Sequence, residues 1–381
     1  MSKWIEEELE PGLRASYGLR RVLNSCTSKW QSVDVVELEC FGRTLMIDGL
    51  IQSCQIDEHI YHESLVHPAM LRHPCPKRVY IGGGGEGSTA REVLRHTSVE
   101  KCVMVDIDGD VVRFCKEALP ENAEAFADPR LELVLTFHTS ESARQIIDDA
   151  KAVLEKGGTY DVIIMDLDDP LEGGPCYQLY TTEFYQMIKS KLNPGKFSEP
   201  YHLYPSAHPH SCHDPFLYLS PTSTPQLFLV TNLKRGHALL LHLSGGVFVT
   251  QSGQAGSKRH HLVWSPVHST LRTVFPAVHS YKQVCNHYPS GRAGVLWWSP
   301  QLRDGAKLVD ISSLACAQVD AEISKRIKGE LKFLDGESYR GLFCLSKAHR
   351  QTLASETRVL STEKGTFATM HSQGLCVATQ K

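Results

Sequence analysis

The sequence predicts an α/β fold: a mostly parallel sheet with helices on both faces, entered through a small antiparallel β domain. Three observations carry that reading. From about residue 57 onward, short apolar segments alternate with helix-like stretches, the pattern of a parallel sheet. One of those segments, Val79-Tyr80-Ile81, runs into Gly82-Gly83-Gly84-Gly85-Glu86-Gly87 and then a helical stretch, a strand–turn–helix passage. Before residue 57 the chain alternates polar and apolar residues in part, as in Ser32-Val33-Asp34-Val35-Val36-Glu37-Leu38.

Taken in order, residues 15–56 read as β structure, with Gly42 to Gly49 as turn, strand and turn. Helices are predicted over 57–72, 88–96, 108–118 and 178–191, and strands over 78–82, 101–106, 131–135, 160–166 and 246–251. Residues 321–334 read as an amphipathic helix. Three regions follow: an N-terminal β domain (1–56), a catalytic-type α/β domain (57–300) and a helical or irregular C-terminal extension (301–381). Two pieces interrupt the α/β pattern: the polar stretch 136–147 and the Pro-, Ser- and His-rich stretch 196–245. The second replaces a connection that ordinarily takes two to six residues.

Composition narrows the function. The 381 residues carry a formal net charge of −3, which offers no basic footprint for nucleic acid. No apolar run is long enough to span a bilayer. The twelve cysteines show no CxxC pair or metal spacing, so they read as reduced thiols, and a cytoplasmic location is expected.

The acid in the glycine turn is the most informative residue. A turn that holds pyrophosphate should not place a carboxylate among its amide donors, so Glu86 points to a ligand that presents positive charge. Asp106 closes the next strand twenty residues later, the usual place for an acid that binds ribose hydroxyls. The strand ending at Asp166 then releases Asp168 and Asp169 before Pro170, and Glu172 follows. Carboxylates this close repel unless a cation lies among them or some stay protonated. An organic polycation satisfies that better than a divalent metal, whose sites usually share their shell with phosphate. An acid at this strand end is also placed to take a proton from a bound amine.

Together, Asp48-Gly49-Leu50-Ile51-Gln52 with Asp57-Glu58 and Tyr61-His62-Glu63, the turn through Glu86, the strand ending at Asp106, and Asp166 to Pro170 resemble the polyamine aminopropyltransferases, the spermidine and thermospermine synthases. The resemblance covers roughly residues 30–135, 148–195 and 246–298. Glu172-Gly173-Gly174-Pro175-Cys176-Tyr177 and Gly329-Glu330-Leu331 are most similar to the thermospermine form, whereas Tyr288-Pro289-Ser290-Gly291 is more similar to the spermidine synthase form. The resemblance implies a Rossmann-like sheet of the class I methyltransferase type. It also implies decarboxylated S-adenosylmethionine as co-substrate, no tightly bound cofactor and no metal. The donor site would comprise Gln31, Gln52, Gly83, Gly84, Glu86, Gly87, Asp106, Asp149 and Ala150. Asp166 would be the base, and Tyr61, His62, Asp169 and Tyr288 would hold the acceptor polyamine. A homodimer or homotetramer is the implied assembly.

Spermidine as acceptor, giving thermospermine, is the first reading and putrescine the second. A methyltransferase of the same sheet and a catalytically inactive polyamine-binding homologue stay open at this point. Residues 196–245 and 136–147 depart from the family pattern. The first reads either as a translated intron or as a surface loop, and the second adjoins Asp149.

Overall fold

The computed structural model describes residues 3–10, 12–135, 151–170, 176–194, 196–197, 201–202, 229–232, 237–240, 243–253, 260–275, 277–283, 294–298 and 314–362. The N-terminal region is an antiparallel sheet in chain order: β1 (Lys3–Glu10), β2 (Leu13–Thr27), β3 (Ser32–Leu38), β4 (Gly42–Ile47) and β5 (Leu50–Cys54). The first strand is acid-rich, a composition that disfavours strands, and the sequence pattern starts the β region only at residue 15. Pairing and one inward-facing acid hold it in place. Glu7 is fully buried and accepts from the Tyr17 hydroxyl at 2.9 Å and from the Ile51 amide at 3.1 Å. One face of β3 and β4 (Val33, Val35, Leu45) packs on Val111, Phe114 and Cys115, so this sheet leans on a helix of the α/β region.

That region begins with α1 (Glu58–Arg72) and continues through β6 (Arg78–Gly83), α2 (Ser88–Leu94), β7 (Lys101–Asp106), α3 (Gly109–Ala118), α4 (Ala123–Ala127) and β8 (Leu131–Leu135). After α5 (151–156) come β9 (Val162–Asp166) and α6 (Thr182–Lys191). Five short strands follow across the long insertion: β10 (Lys196–Phe197), β11 (Tyr201–His202), β12 (Leu229–Asn232), β13 (His237–Leu240) and β14 (Leu243–Ser244). The main sheet resumes with β15 (Val247–Gln251), α7 (Trp264–Val274), β16 (Val278–Lys282) and β17 (Gly294–Trp298), and three helices close the chain: α8 (Cys316–Arg326), α9 (Gly336–Leu342) and α10 (Lys347–Ser355).

The seven-stranded sheet has the order β16-β17-β15-β9-β6-β7-β8, with five parallel strands and β17 running antiparallel to both its neighbours. It is the Rossmann-like class I methyltransferase arrangement expected from the sequence. Alternate residues of one strand serve opposite faces. Val79 and Ile81 enter a core with α1, α2, α8 and α9, while Tyr80 enters one with α5, α6 and α7. Burial on both faces explains the unbroken apolar strands, each fully buried side chain contributing roughly 1.5–3 kcal/mol. The insertion leaves the end of α6 and returns at the amino end of β15, with β10 paired antiparallel to β14 at its base. The predicted 321–334 helix is instead the single helix Cys316–Arg326 followed by non-helical chain to residue 334. Among the described residues no helix is long and apolar enough to cross a membrane.

Candidate active site

The site lies past the carboxyl ends of β6, β7, β9 and β15, where an open parallel sheet binds ligands. Its floor is the glycine turn. Gly83 has φ +83°, and a Cβ there would lie 2.1 Å from the Asp166 carbonyl oxygen. The Gly85 amide donates to Asp106 Oδ2 at 2.8 Å, and a Cβ on Gly85 would sit 2.6 Å from that same oxygen. The turn therefore lets two strand-end acids press against its backbone. Gly84 and Gly87 also have positive φ, of 75° and 94°.

Asp106 also accepts the Asp108 amide at 2.8 Å. Burial pushes its carboxyl up to about 6, although these two amides favour the charged form. Asp166 sits between two hydroxyls: Tyr61 donates to Oδ1 and Thr89 to Oδ2, each at 2.6 Å. Asp169 accepts from Gln251 Nε2 at 2.8 Å, and Asp168 is exposed. Amides and hydroxyls thus fix the directions of these acids around the strand ends.

Glu86 is the acid with a cationic neighbour. It is 7% exposed; Ser53 Oγ donates to its Oε1 at 3.3 Å, and His62 Nε2 lies 3.2 Å from the same atom. The other ring nitrogen, Nδ1, is 2.8 Å from Glu58 Oε2. Arg91 Nη2 then donates to both Glu58 oxygens, at 2.8 and 2.9 Å. Burial opposes charge on His62, but Glu86 and Glu58 outweigh it and raise the imidazole to about 9, so the ring is an imidazolium at neutral pH. Burial likewise works against Glu58, which His62 and Arg91 nevertheless hold down at about 2. Glu86 itself is raised by burial, with His62 pulling the other way. Glu58, His62 and Glu86 bring one ligand atom each within 4.8 Å of one another, a metal-like spacing whose positive charge the ring already supplies.

The predicted residues divide into three groups. Gly83, Gly84, Glu86, Gly87, Asp106, Asp166, Asp169, Tyr61 and His62 meet around the strand ends. Gln31 lies one step back, its amide donating to Asp108 Oδ2 at 3.1 Å, and Gln52 Nε2 reaches the Leu50 carbonyl at 3.4 Å. Asp149, Ala150 and Tyr288 lie outside the described residues. Four participants escaped the sequence reading: Ser53, Thr89, Asn122 and Gln251. Thr89 lies in the first turn of the helix after the glycine turn, which was its available signal. Asn122, whose amide bonds the Glu86 carbonyl at 2.9 Å, and Gln251 carried none.

Comparison with known proteins gives the same picture. A profile described as the spermine/spermidine synthase domain matches residues 58–198, and one described as the spermidine synthase tetramerisation domain matches residues 3–55. Thermospermine synthase ACAULIS5 of Arabidopsis thaliana is 37% identical over 374 residues, covering 98% of this chain and 88% of its own. The chain belongs to the spermidine synthase family. Polyamine aminopropyltransferase 2 of Hyperthermus butylicus is 32% identical, with 95% of each chain covered. A crystal structure of spermidine synthase with the transition state analogue AdoDATO superposes at a TM-score of 0.68, 25% identical, over 93% of this chain and 97% of that one. That family is one of polyamine aminopropyltransferases.

Proposed function

We propose that the protein transfers the aminopropyl group of decarboxylated S-adenosylmethionine to spermidine, giving thermospermine and methylthioadenosine. The observation that carries the chemistry is Asp166, oriented by Tyr61 and Thr89 at the end of β9, beside a turn whose one acid is Glu86. The aminopropyl arm ends in an ammonium and has no carboxylate. Glu86 attracts the first and would repel the second, which separates this donor from the ordinary methyl donor. Asp106 takes the ribose hydroxyls, Gln31 and Gln52 complete the donor site, and the family resemblance assigns the adenine to Asp149 and Ala150. Gly83, Gly84 and Gly87 give the turn the positive-φ backbone that the donor site needs.

The acceptor amine must be neutral to attack, and Asp166 takes its proton. The nitrogen lone pair forms a bond to the carbon next to sulfonium. The carbon–sulfur bond breaks, and its electrons leave on methylthioadenosine. Tyr61 and Asp169 orient the acceptor, and the family resemblance adds Tyr288 to them. Holding both partners in line supplies much of the rate.

Spermidine is favoured by the 37% identity with a thermospermine synthase along nearly the whole chain. Putrescine is the second reading, favoured by Tyr288-Pro289-Ser290-Gly291. Chromatography of the product decides between them. Thermospermine from spermidine supports the first; turnover of putrescine alone overturns it. A homo-oligomer through the N-terminal sheet, dimeric or tetrameric, is part of the same proposal. Trp4 and Val22 stand on that sheet 63% and 52% exposed.

A further inference from the structure

We infer that Asn122 is a positioning residue for donor selectivity: it holds the backbone of the glycine turn from behind and so sets where Glu86 stands. This rests on the donor reading above. Asn122 ends a single helical turn, Pro120–Asn122, and is fully buried. Its Nδ2 donates to the Glu86 carbonyl at 2.9 Å and to Ser88 Oγ at 3.0 Å, and its Oδ1 accepts from Arg91 Nη1 at 2.7 Å. A guanidinium only donates, so the amide oxygen must face Arg91 and the NH₂ must face the turn. Both amide hydrogens are then used, and the side chain has no donor left for a ligand.

The arrangement answers a physical difficulty. Glu86 sits between Gly85 and Gly87, in a run whose backbone has more freedom than any other residue type would give it. A carboxylate that must attract an ammonium and repel a second carboxylate does both only from a fixed place, because each effect falls with distance. Ser53 and His62 hold the Glu86 side chain, and the main chain needs an anchor of its own. The Gly87 amide closes the turn onto the Gly84 carbonyl at 2.9 Å, and Asn122 takes the Glu86 carbonyl beside it. Packing agrees with the hydrogen bonds. A Cβ on Gly87 would lie 2.6 Å from the Phe126 ring and 3.3 Å from the Asn122 Cβ, so the turn rests directly on this segment. Arg91 joins the two holds. Its Nη1 fixes Asn122, and its Nη2 meets Glu58, the partner of His62. One guanidinium thus braces both the backbone and the side chain of the same acid.

The test sets the donor against methylthioadenosine, which on this reading fills the same pocket but carries no ammonium. Asn122→Asp keeps the size and the bond to Arg91 but cannot donate to the Glu86 carbonyl. Donor KM should rise about tenfold, while acceptor KM and the inhibition constant of methylthioadenosine stay within about twofold. The margin against S-adenosylmethionine, read as its inhibition constant over donor KM, should narrow by a similar factor. Glu86→Gln has already lost the partner of the ammonium, so adding Asn122→Asp to it should raise donor KM by no more than about twofold. An unchanged donor KM in Asn122→Asp overturns the inference. So do additive effects, or a methylthioadenosine constant that rises along with donor KM, since either makes Asn122 a packing residue. Asn122→Ala, read by the same constants, replaces a variant that does not fold. If that fails too, nuclear magnetic resonance of asparagine-labelled wild-type enzyme decides. The side-chain amide displaced by Glu86→Gln should shift when the donor binds and stay in place with methylthioadenosine; equal shifts with both overturn the idea. Absence of methylthioadenosine release by the wild type would instead defeat the donor reading.

Discussion

Tyr61 and Asp166 are 105 residues apart in sequence, yet the phenol of the first donates to the carboxylate of the second at 2.6 Å. That bond joins α1 to the end of β9 and fixes the direction of the Asp166 oxygens. Asp166→Asn keeps the shape and removes the proton acceptor, so kcat should fall by about 10²- to 10⁴-fold while donor affinity changes little. Tyr61→Phe deletes one hydrogen bond to a charged group, worth about 1.5–3 kcal/mol, and should lower kcat by about 10- to 100-fold. Steady-state kinetics with donor binding by calorimetry checks both. Unchanged turnover in Asp166→Asn removes it from the mechanism.

The glycine turn gives a contrast between two neighbours. Gly83→Ala drives a methyl group into the Asp166 carbonyl at a backbone conformation that alanine rarely adopts, so the protein should lose about 3 kcal/mol of stability or fail to fold. Gly85→Ala meets only the Asp106 side chain, which can swing aside. Melting temperature should drop little there, while donor KM rises. Equal melting temperatures for the two variants would show that the turn is not shaped by these contacts.

Stability should depend on pH through the buried chain of charges. His62 is raised from 6.5 to about 9, so its contribution is complete below pH 6.5 and is lost as pH rises through 9. Glu58 is lowered from 4.5 to about 2; its contribution is complete above pH 4.5 and is lost as pH falls through 2. Urea unfolding of the wild type should therefore weaken between pH 6.5 and 9 by on the order of 2 kcal/mol from His62. His62→Gln should flatten that alkaline slope and shrink the acid slope as well, because His62 and Arg91 together hold Glu58 down.

Donor binding should carry a separate acid limb. Asp106 titrates near 6, and its protonated form accepts ribose hydroxyls less well. Donor KM should rise as pH falls below 6, and Asp106→Asn should be weak at every pH. An acid limb that survives in Asp106→Asn assigns it to another group.

The C-terminal helices should matter to the site although no predicted site residue lies in them. Arg326 donates to the carbonyls of Met70 and Leu71 at 2.7 Å and of His73 at 2.5 Å, closing the end of α1. Glu63, the residue after His62, accepts the amides of Lys332, Phe333 and Leu334 at 2.8–2.9 Å. Both groups are deeply set, and Arg326→Ala should cost about 3 kcal/mol. Truncation after residue 313 should abolish cooperative unfolding, as read by circular dichroism, because Val319, Ile327, Leu334, Tyr339 and Leu342 line the core that α1 shares.

Much of this was legible in the chain itself. The parallel strands were, because Val79–Ile81 and Val162–Met165 are buried on both faces and leave no polar alternation to confuse them. The strand-end acids were, because their positions follow from where the strands stop. Three things were not. β1 hides behind four glutamates, and only its pairing with β2 explains it. β16 and β17 are short, and β17 runs against its neighbours. The partners of the acids, Thr89, Ser53, Asn122 and Gln251, are hydroxyls and amides of common type. Their role comes from distance in space, which spacing along the chain does not encode.

The dependence of α1 on Arg326 bears on how the protein is made. Every strand of the parallel ladder has been synthesised by residue 251, but the face that α1 and α2 cover lacks α8 and α9 until residues past 313 emerge. Until then part of the apolar surface that α1 shares with Val319, Tyr339 and Leu342 stays exposed, a form that chaperones bind and that aggregates when crowded. Packing of that face is therefore a late event, completed when α8 and α9 dock.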